Sequence, residues 1–527
     1  MDLDFWLGTW QLGCLGCANC QQRGSTSGSG PGQRRVELEI ERLRRENEQL
    51  REELRERERK LGEAEKQIAD LERQLGLRDR NSTTSSKPPS SDGLAGSQRK
   101  RGSRRTKSCR KPGGQPGHPG SHRVPVPADL VDKVVEILPE RCGHCQGPLP
   151  RNGGGRTGKV ARHQVTELPP VRPLVTEYQC PSVSCPGCGK HTRAPLPPEV
   201  AGDFGPELTA LVAYLTVVCR LPRRVVWALL EQVLGVKLSL GSVQAGWEET
   251  SGAVAGPCAE LEKQLRHEPV LNSDETGYRT NGRKRWLWAL VAPAFVFYKV
   301  AASRGAEVLV KLLGDVFAGI LCSDRCPTYL KYHKGTLQFC WAHFKRNILG
   351  ALQIAKTTDA ERFCRDALSL HARLFRLWHR FWHRFRAGPA AGKTPMTRQQ
   401  LILESIPIQK RFFALAQRNL DSGDNDVRNL ARALFQHNEK FFAFIGHEGV
   451  EPTNNSAERA LRCAVQWRKT SFGSRSADGE VAMARLLTAT QTCRLQGRNP
   501  LDYLKQAVRS HRAGLPAPSL LPAKPPG

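Results

Sequence analysis

A heptad repeat constrains this chain more tightly than any other feature. Ile40, Asn47, Leu54, Leu61, Ile68 and Leu75 recur every seven residues, interleaved with Val36, Leu43, Leu50, Arg57, Ala64 and Leu71 at the same period. Alternating steps of three and four residues place both series on one stripe of an α-helix, the Ile40 series at a and the Leu43 series at d. Such a stripe is covered by a second helix of the same kind. Asn47 at a favours a parallel pair, because a buried Asn is best satisfied by its own copy. The cross-helix pairs Glu39 with Arg44, Glu46 with Arg51 and Lys60 with Glu65 attract, whereas Glu53 and Glu58 repel and Arg57 weakens that layer. Residues 36–78 are expected to form a coiled coil that makes the protein a homodimer; a long solvated helix is the alternative.

Charge points to the ligand. The chain has 80 Lys and Arg against 51 Asp and Glu, a formal charge of +29, which favours nucleic acid. The densest basic run is Arg99, Lys100, Arg101, Arg104, Arg105, Lys107, Arg110 and Lys111, with no acid among them. It lies in a Ser-, Pro- and Gly-rich stretch, 79–127, expected to be a disordered linker that neutralises DNA phosphates or simply connects domains. A membrane partner is not expected, because the longest apolar stretch, Trp286 to Tyr298, is interrupted by Pro293 and reads as two strands. The N-terminus has no early Lys or Arg, so no secretory signal is expected. An odd number of cysteines, 17, some in C-x-x-C pairs, suggests metal ligands and free thiols in a reducing, cytoplasmic compartment.

At 527 residues the chain has room for several domains. Residues 1–35 read as an extension of no clear role, although Cys14, Cys17 and Cys20 have metal-ligand spacing. In 128–198, Cys142 and Cys145 form one C-x-x-C knuckle and Cys185 and Cys188 a second, enough for one tetrahedral structural Zn2+. The strand-like stretches 160–168 and 174–178 would form a ribbon joining the knuckles. Cys180 is a substitute ligand, and His144 and His163 are weaker ones. In 199–268, helices are expected at 208–219 and 225–234, with Gly235 ending the second and a third starting at Ser239 or Gly241-Ser242. A helix-turn-helix fits this pattern, and so does a plain helical bundle.

Chemistry is expected downstream. The apolar stretch 270–274 reads as a buried strand ending at Asp274, and 319–324 as one ending at Asp324. Between them, 285–291 and 295–300 read as a hairpin turning at Ala292-Pro293. Two strand-end carboxylates side by side repel unless a hard divalent cation lies between them. A third carboxylate, Glu458, occurs in Thr453-Asn-Asn-Ser-Ala-Glu-Arg459, where Asn455 and Glu458 also have capping-box spacing. Glu275, next to Asp274 on a strand, is expected to point away from the metals. Cys340 and His343 are expected to be a packed thiol and a hydrogen-bonded ring, with a second metal site as the lesser reading. Arg376, Arg380 and Arg384 step along an aromatic helix, 371–386, either facing DNA or forming a solvated face.

Taken together these residues resemble an insertion sequence 66 family transposase. The resemblance rests on the Ser/Pro segment 81–92, Gly113-Gly-Gln-Pro-Gly-His118, the two knuckles, Asp274-Glu-Thr276, Asp324 and Cys340-Trp-Ala-His343. It extends to the Thr453–Arg459 motif and Arg468-Lys-Thr-Ser-Phe-Gly-Ser474, in order over 36–505. One departure is Cys463, where family members often carry Pro. The resemblance implies a DDE enzyme whose catalytic triad is Asp274, Asp324 and Glu458, in an RNase H-like α/β domain at 269–505 with a helical insertion at about 345–448. The expected fold is thus multidomain α+β, with a coiled coil, a zinc module, a helix-turn-helix-like region and that core, followed by a Pro-rich tail at 506–527. It further implies binding of the element's terminal repeats and target DNA, element-encoded helper proteins as further partners, and a bacterial, nucleoid-associated setting. Two Mg2+ or Mn2+ ions per active site suit an all-oxygen ligand set that cuts phosphodiesters. Arg459, Arg462, Arg468 and Lys469, near Glu458 in sequence, are candidates for phosphate contacts. A zinc-dependent regulator without catalysis, an inactive transposase copy and a nuclease without strand joining are the competing readings.

Overall fold

The computed structural model describes residues 31–78, 124–150, 160–169, 171–197, 199–200, 202–387 and 396–522. The N-terminal cysteines, the basic run from Arg99 to Lys111 and the 113–118 motif lie outside these residues. The chain divides into two compact units after Arg80.

The first unit is one helix, α1 (Pro31–Arg78), which starts five residues before the expected coiled coil. Pro suits its first turn, where a backbone N–H would have no helical acceptor. Among the described residues its apolar a and d side chains stay in solvent: Ile40 is 44% exposed, Leu54 58% and Leu61 62%.

The second unit begins irregularly. Around the second knuckle, β1 (Ser182–Ser184) and β2 (His191–Arg193) pair antiparallel. The ribbon expected from 160–168 and 174–178 is absent. Both stretches lack strand pairing, and Leu168 and Leu174 are exposed, so their apolar pattern has no core to face. Helices α2 (Pro206–Val217), α3 (Arg223–Gln232), α4 (Leu240–Ala253) and α5 (Ala255–Gln264) follow. Gly235 takes φ +67° after α3. Ser239 caps α4, its Oγ accepting from Ser242 N at 3.0 Å.

A five-stranded sheet comes next, built from β3 (Val270–Thr280), β4 (Arg283–Val291), β5 (Val296–Ala301), β6 (Ile320–Ser323) and β7 (Leu337–Phe339). The order is β5-β4-β3-β6-β7; β3, β4 and β5 form an antiparallel meander, and β6 and β7 run parallel to β3. The hairpin turns where expected, with Ala292 N donating to Phe295 O at 2.9 Å. β3 corrects the sequence reading. It does not end at Asp274 but runs six residues further, because β4 pairs with it as far as Thr280. Only the parallel pairing with β6 stops, at Asn272 opposite Cys322.

Helices α6 (Ala306–Leu313) and α7 (Pro327–Tyr332) flank β6. Five helices span the stretch expected as an insertion: α8 (Trp341–Ile354), α9 (Thr358–Ala387), α10 (Arg398–Gln417), α11 (Asn425–Gln436) and α12 (Asn438–Gly446). Its centre is aromatic: Trp341 contacts Phe344, Phe412, Phe441 and Phe442. Arg376 and Arg380 are exposed over buried Trp378 and Phe381, and Arg380 pairs with Glu404, so this is a solvated face. The side chain of Arg384 is outside the described residues.

Three helices close the fold: α13 (Asn455–Ser471), α14 (Ala477–Leu495) and α15 (Pro500–Arg512). α14 covers the edge strand β5, and its Thr488 and Thr492 hydroxyls accept from Tyr298 N (3.0 Å) and Val296 N (3.1 Å). Edge groups that could pair with another chain are thereby satisfied. The segment after 505 is no loose tail: α15 continues to Arg512, which grips Glu249 on α4 at 2.7 Å, and Leu520 is buried. α4 packs against α2, α14 and α15, and it carries Glu248 and Glu249 with no Lys or Arg. That is a bundle helix, with no basic surface suited to a DNA groove.

Candidate active site and metal centres

The sheet register sets the first two carboxylates. Asn272 lies opposite Cys322, so Asp274 and Asp324 fall at the same level, each two residues beyond that pair. Asp274 Oδ1 accepts from Glu275 N at 2.9 Å, and Asp324 Oδ1 accepts from Cys326 N at 2.8 Å. Neither makes an ion pair with Lys or Arg within 4.0 Å among the described residues. Burial pushes the Asp274 carboxyl well above its usual range, and Glu275, Asp324 and Glu458 push it further. One buried carboxyl thus feels both of its expected partners.

Glu458 reaches the site from α13. Its capping-box role is not realised: the N-cap is Asn454, one residue earlier than expected, and it makes no side-chain cap. Asn454 is fully buried, and its amide donates to Ser273 O at 2.8 Å, tying the start of α13 to β3 beside Asp274. Its Oδ1 has no hydrogen-bond partner. Glu458 turns instead to α8, where Arg346 Nη2 donates to its Oε1 at 2.8 Å and His343 Nδ1 lies 3.4 Å from the same oxygen. The three carboxylates do not all come within 4.8 Å of one another; the group that does is Cys340, His343 and Glu458.

Cys340 is buried, its sulfur accepts from Asn454 N at 3.2 Å, and burial raises its thiol to about 11. Burial, and then Arg346, lower the His343 imidazole. The Cys is packed as the sequence suggested. Sequence reasoning missed that the Cys340–His343 turn and Arg346 form the wall against Glu458, and the only signal was three polar residues at helical spacing beside Trp341.

Glu275, the neighbour of Asp274 on β3, is buried. Its side chain is 1% exposed, and it accepts from Arg304 Nε at 2.5 Å and from the Tyr329 hydroxyl. Burial raises it, although Tyr329 and Arg304 hold it down. It is part of the buried polar layer under the site. Beside Asp324 a cleft of about 550 Å³ opens between the sheet end and the insertion, lined by Arg304, Arg325, His343, Asn347 and Arg432 among others.

The oxygen-only set of Asp274 and Asp324, without cationic partners, fits a hard divalent cation. Glu458 is the member already neutralised by protein. Of the basic candidates on α13, Arg459, Arg462 and Lys469 are exposed, while Arg468 is half-buried close to Gly277 on β3.

Each knuckle in the zinc module is locally formed. Cys142 N donates to Gly147 O at 2.9 Å, Cys185 N donates to Lys190 O at 2.8 Å, and Gly189 N donates to Cys185 O at 2.8 Å. Backbone N–H groups of Cys145 and His144 lower Cys142, and those of Gly187 and Cys188 lower Cys185. Donors aimed at sulfur favour thiolates, the form that binds zinc. The two knuckles are not gathered: no three of their four thiols lie within 4.8 Å of one another.

Comparison with known proteins agrees with this layout. Residues 201–482 match the family model described as "Transposase IS66 family", and 139–189, which contain all four knuckle cysteines, match the "zinc-finger binding domain of transposase IS66". Residues 29–124 match a family of unknown function. The chain belongs to the IS66 family of transposases. Among curated proteins it is similar to the uncharacterized protein y4qI of Sinorhizobium fredii (strain NBRC 101917 / NGR234), 28% identical over 256 residues. That match spans 44% of this chain and 45% of y4qI. It is also similar to y4jD of the same organism, 23% identical over 419 residues, 73% of this chain and 77% of y4jD. No helix among the described residues is long and apolar enough to cross a membrane.

Proposed function

We propose that this protein binds the ends of its insertion element, cuts them and joins the freed strands to target DNA, using Asp274, Asp324 and Glu458. The observation that carries this reading is the shared level of Asp274 and Asp324 on neighbouring parallel strands, with the start of α13, which carries Glu458, tied by Asn454 to β3 at Ser273. The strand order supports it. An antiparallel meander of three strands, extended by two strands parallel to the first, is the arrangement of an RNase H-like core, and the five helices α8 to α12 occupy the place of the insertion.

The residues divide the work. Asp274 and Asp324 would hold divalent cations, Mg2+ or Mn2+, on oxygen, and Glu458 would complete the set after parting from Arg346. Such ions supply activation of an attacking water or 3′-hydroxyl and neutralisation of the leaving oxygen. Asn454 fixes the start of α13 against β3, and Arg346 and His343 hold Glu458 until it is needed. Arg459, Arg462 and Lys469 form an exposed basic face beyond Glu458 suited to phosphates, and the basic run from Arg99 to Lys111 would add further phosphate contacts. One structural zinc held by Cys142, Cys145, Cys185 and Cys188 would draw the knuckles together. Dimerisation through α1 would place two active sites on two element ends.

The test is a cleavage assay on DNA carrying the element's ends, with Mg2+ and with chelator. Metal-dependent nicks at the ends followed by joined products are expected. End-specific binding without cleavage would instead favour the regulator or inactive-copy reading, and cleavage without joining a nuclease.

A further inference from the structure

The two ends of a loop-to-strand clamp meet at the far tip of β3. Asn281 N donates to Ser474 O at 2.9 Å, and Ser474 N donates to Arg279 O at 3.1 Å. The Tyr278 hydroxyl lies 2.8 Å from Ser474 Oγ. Gly473 makes the approach feasible: it takes φ +96°, and a Cβ there would lie 2.2 Å from Arg279 O. The clamp holds Phe472 at φ +58°, ψ +19°, the left-handed region that bulky residues avoid. The same side chain is 88% exposed. Strain and exposure of a large aromatic are two costs for which the fold gains no packing, a combination found where a residue serves a ligand.

The surroundings name the ligand. Arg279, Arg283 and Lys284 on the hairpin tip are exposed, as are Lys469 and Arg475 on either side of Phe472. Arg279 Nη1 also donates to Gly282 O at 2.9 Å, and Lys284 lies over the Trp286 ring. From 279 to 285 the chain has four basic residues and no acid; from 468 to 480 it has three basic residues against Asp478 and Glu480. Glu480 is occupied by Arg285 at 3.3 Å. An exposed aromatic ringed by cations matches DNA, which offers stacked bases between phosphates. Six residues of strand separate Asp274 from the tip, roughly 20 Å at about 3.3 Å each. That is about six base pairs of duplex at roughly 3.4 Å per step.

We propose that the hairpin tip and the segment around Phe472 grip the duplex about half a helical turn from the scissile phosphate, with Phe472 inserted into the base stack and Arg279, Arg283, Lys284, Lys469 and Arg475 on the flanking phosphates. This rests on the transposase reading, which supplies the DNA. The test uses full-length protein in chelator, so that no cleavage intervenes, and a labelled duplex carrying the element end, titrated across salt concentrations. Phe472→Gly suits the left-handed backbone, so its melting temperature should equal or exceed that of the wild type. Its Kd should rise about fivefold or more through lost stacking. The slope of log Kd on log salt should stay unchanged, because no charge is lost. Arg283→Ala or Lys469→Ala should each lower that slope by about one phosphate. With 2-aminopurine walked along the first turn of the duplex, wild type should unstack one position and Phe472→Gly none. Equal affinity and equal unstacking in Phe472→Gly would overturn the inference while leaving the transposase reading standing, as would a loss confined to binding of lipid vesicles. Failure of the wild type to bind the duplex would overturn both.

Discussion

Glu275 shows how neighbouring residues on one strand acquire unlike roles. Asp274 has carboxylate neighbours and no ion pair, whereas Glu275 is locked by Arg304 and Tyr329. Glu275→Gln leaves Arg304 without its anion and is expected to cost about 1–3 kcal/mol, since charge-assisted bonds to a buried group are lost. Denaturant unfolding measures this, and an unchanged midpoint would contradict it. The three candidate carboxylates stand out in the sequence because two apolar runs each reach an Asp, and because Glu458 lies in a motif. The partners of Glu458 do not. Arg346 is 112 positions away, and only the docking of α8 against α13 brings them to 2.8 Å. The expected capping box failed for a related reason. With Asn454 as the N-cap, Glu458 falls one position beyond N3, and its carboxylate is held by Arg346.

Two elements are incomplete as single copies. α1 has the right length and pattern, yet its apolar stripe lies in water, where each fully buried Leu would gain roughly 1.5–3 kcal/mol. A peptide spanning 36–75 should therefore be helical and form a parallel dimer by sedimentation. Asn47→Ile should raise its melting temperature and loosen the choice of oligomer. A monomer at high micromolar concentration would contradict the dimer. The zinc module is the second case. Its knuckles are locally formed but not gathered, which fits a module whose folding energy comes from metal. Purified protein should carry about one zinc per chain by elemental analysis, and Cys142→Ser or Cys185→Ser should lose it. Retention of zinc in both variants would refute the ligand set. Period-seven and C-x-x-C spacing made these elements readable from sequence. The ribbon at 160–168 and 174–178 was misread because alternation signals a strand only where one face has a core to bury it.

At the scale of the whole molecule, the strands, the insertion and α13 converge on one site, and the C-terminal helices brace it. The hairpin and β6 were legible because their apolar runs are short and bounded by turns, whereas β7 was not anticipated. The extent of β3 was not, because its outer half pairs with β4 alone and carries polar residues. The C-terminal boundary was also misjudged: Pro and Ala after 512 resemble a tail, yet Leu520 is fully buried and Tyr503 donates to Pro518 O at 2.9 Å. The account makes Asp274, Asp324 and Glu458 a single working unit. The most direct test is strand cleavage and transfer at the element ends in Mg2+, measured for Asp274→Asn, Asp324→Asn and Glu458→Gln beside the wild type. Each variant keeps side-chain size and removes one negative ligand, so each should fall by orders of magnitude while retaining DNA affinity. Wild-type rates in all three would contradict it.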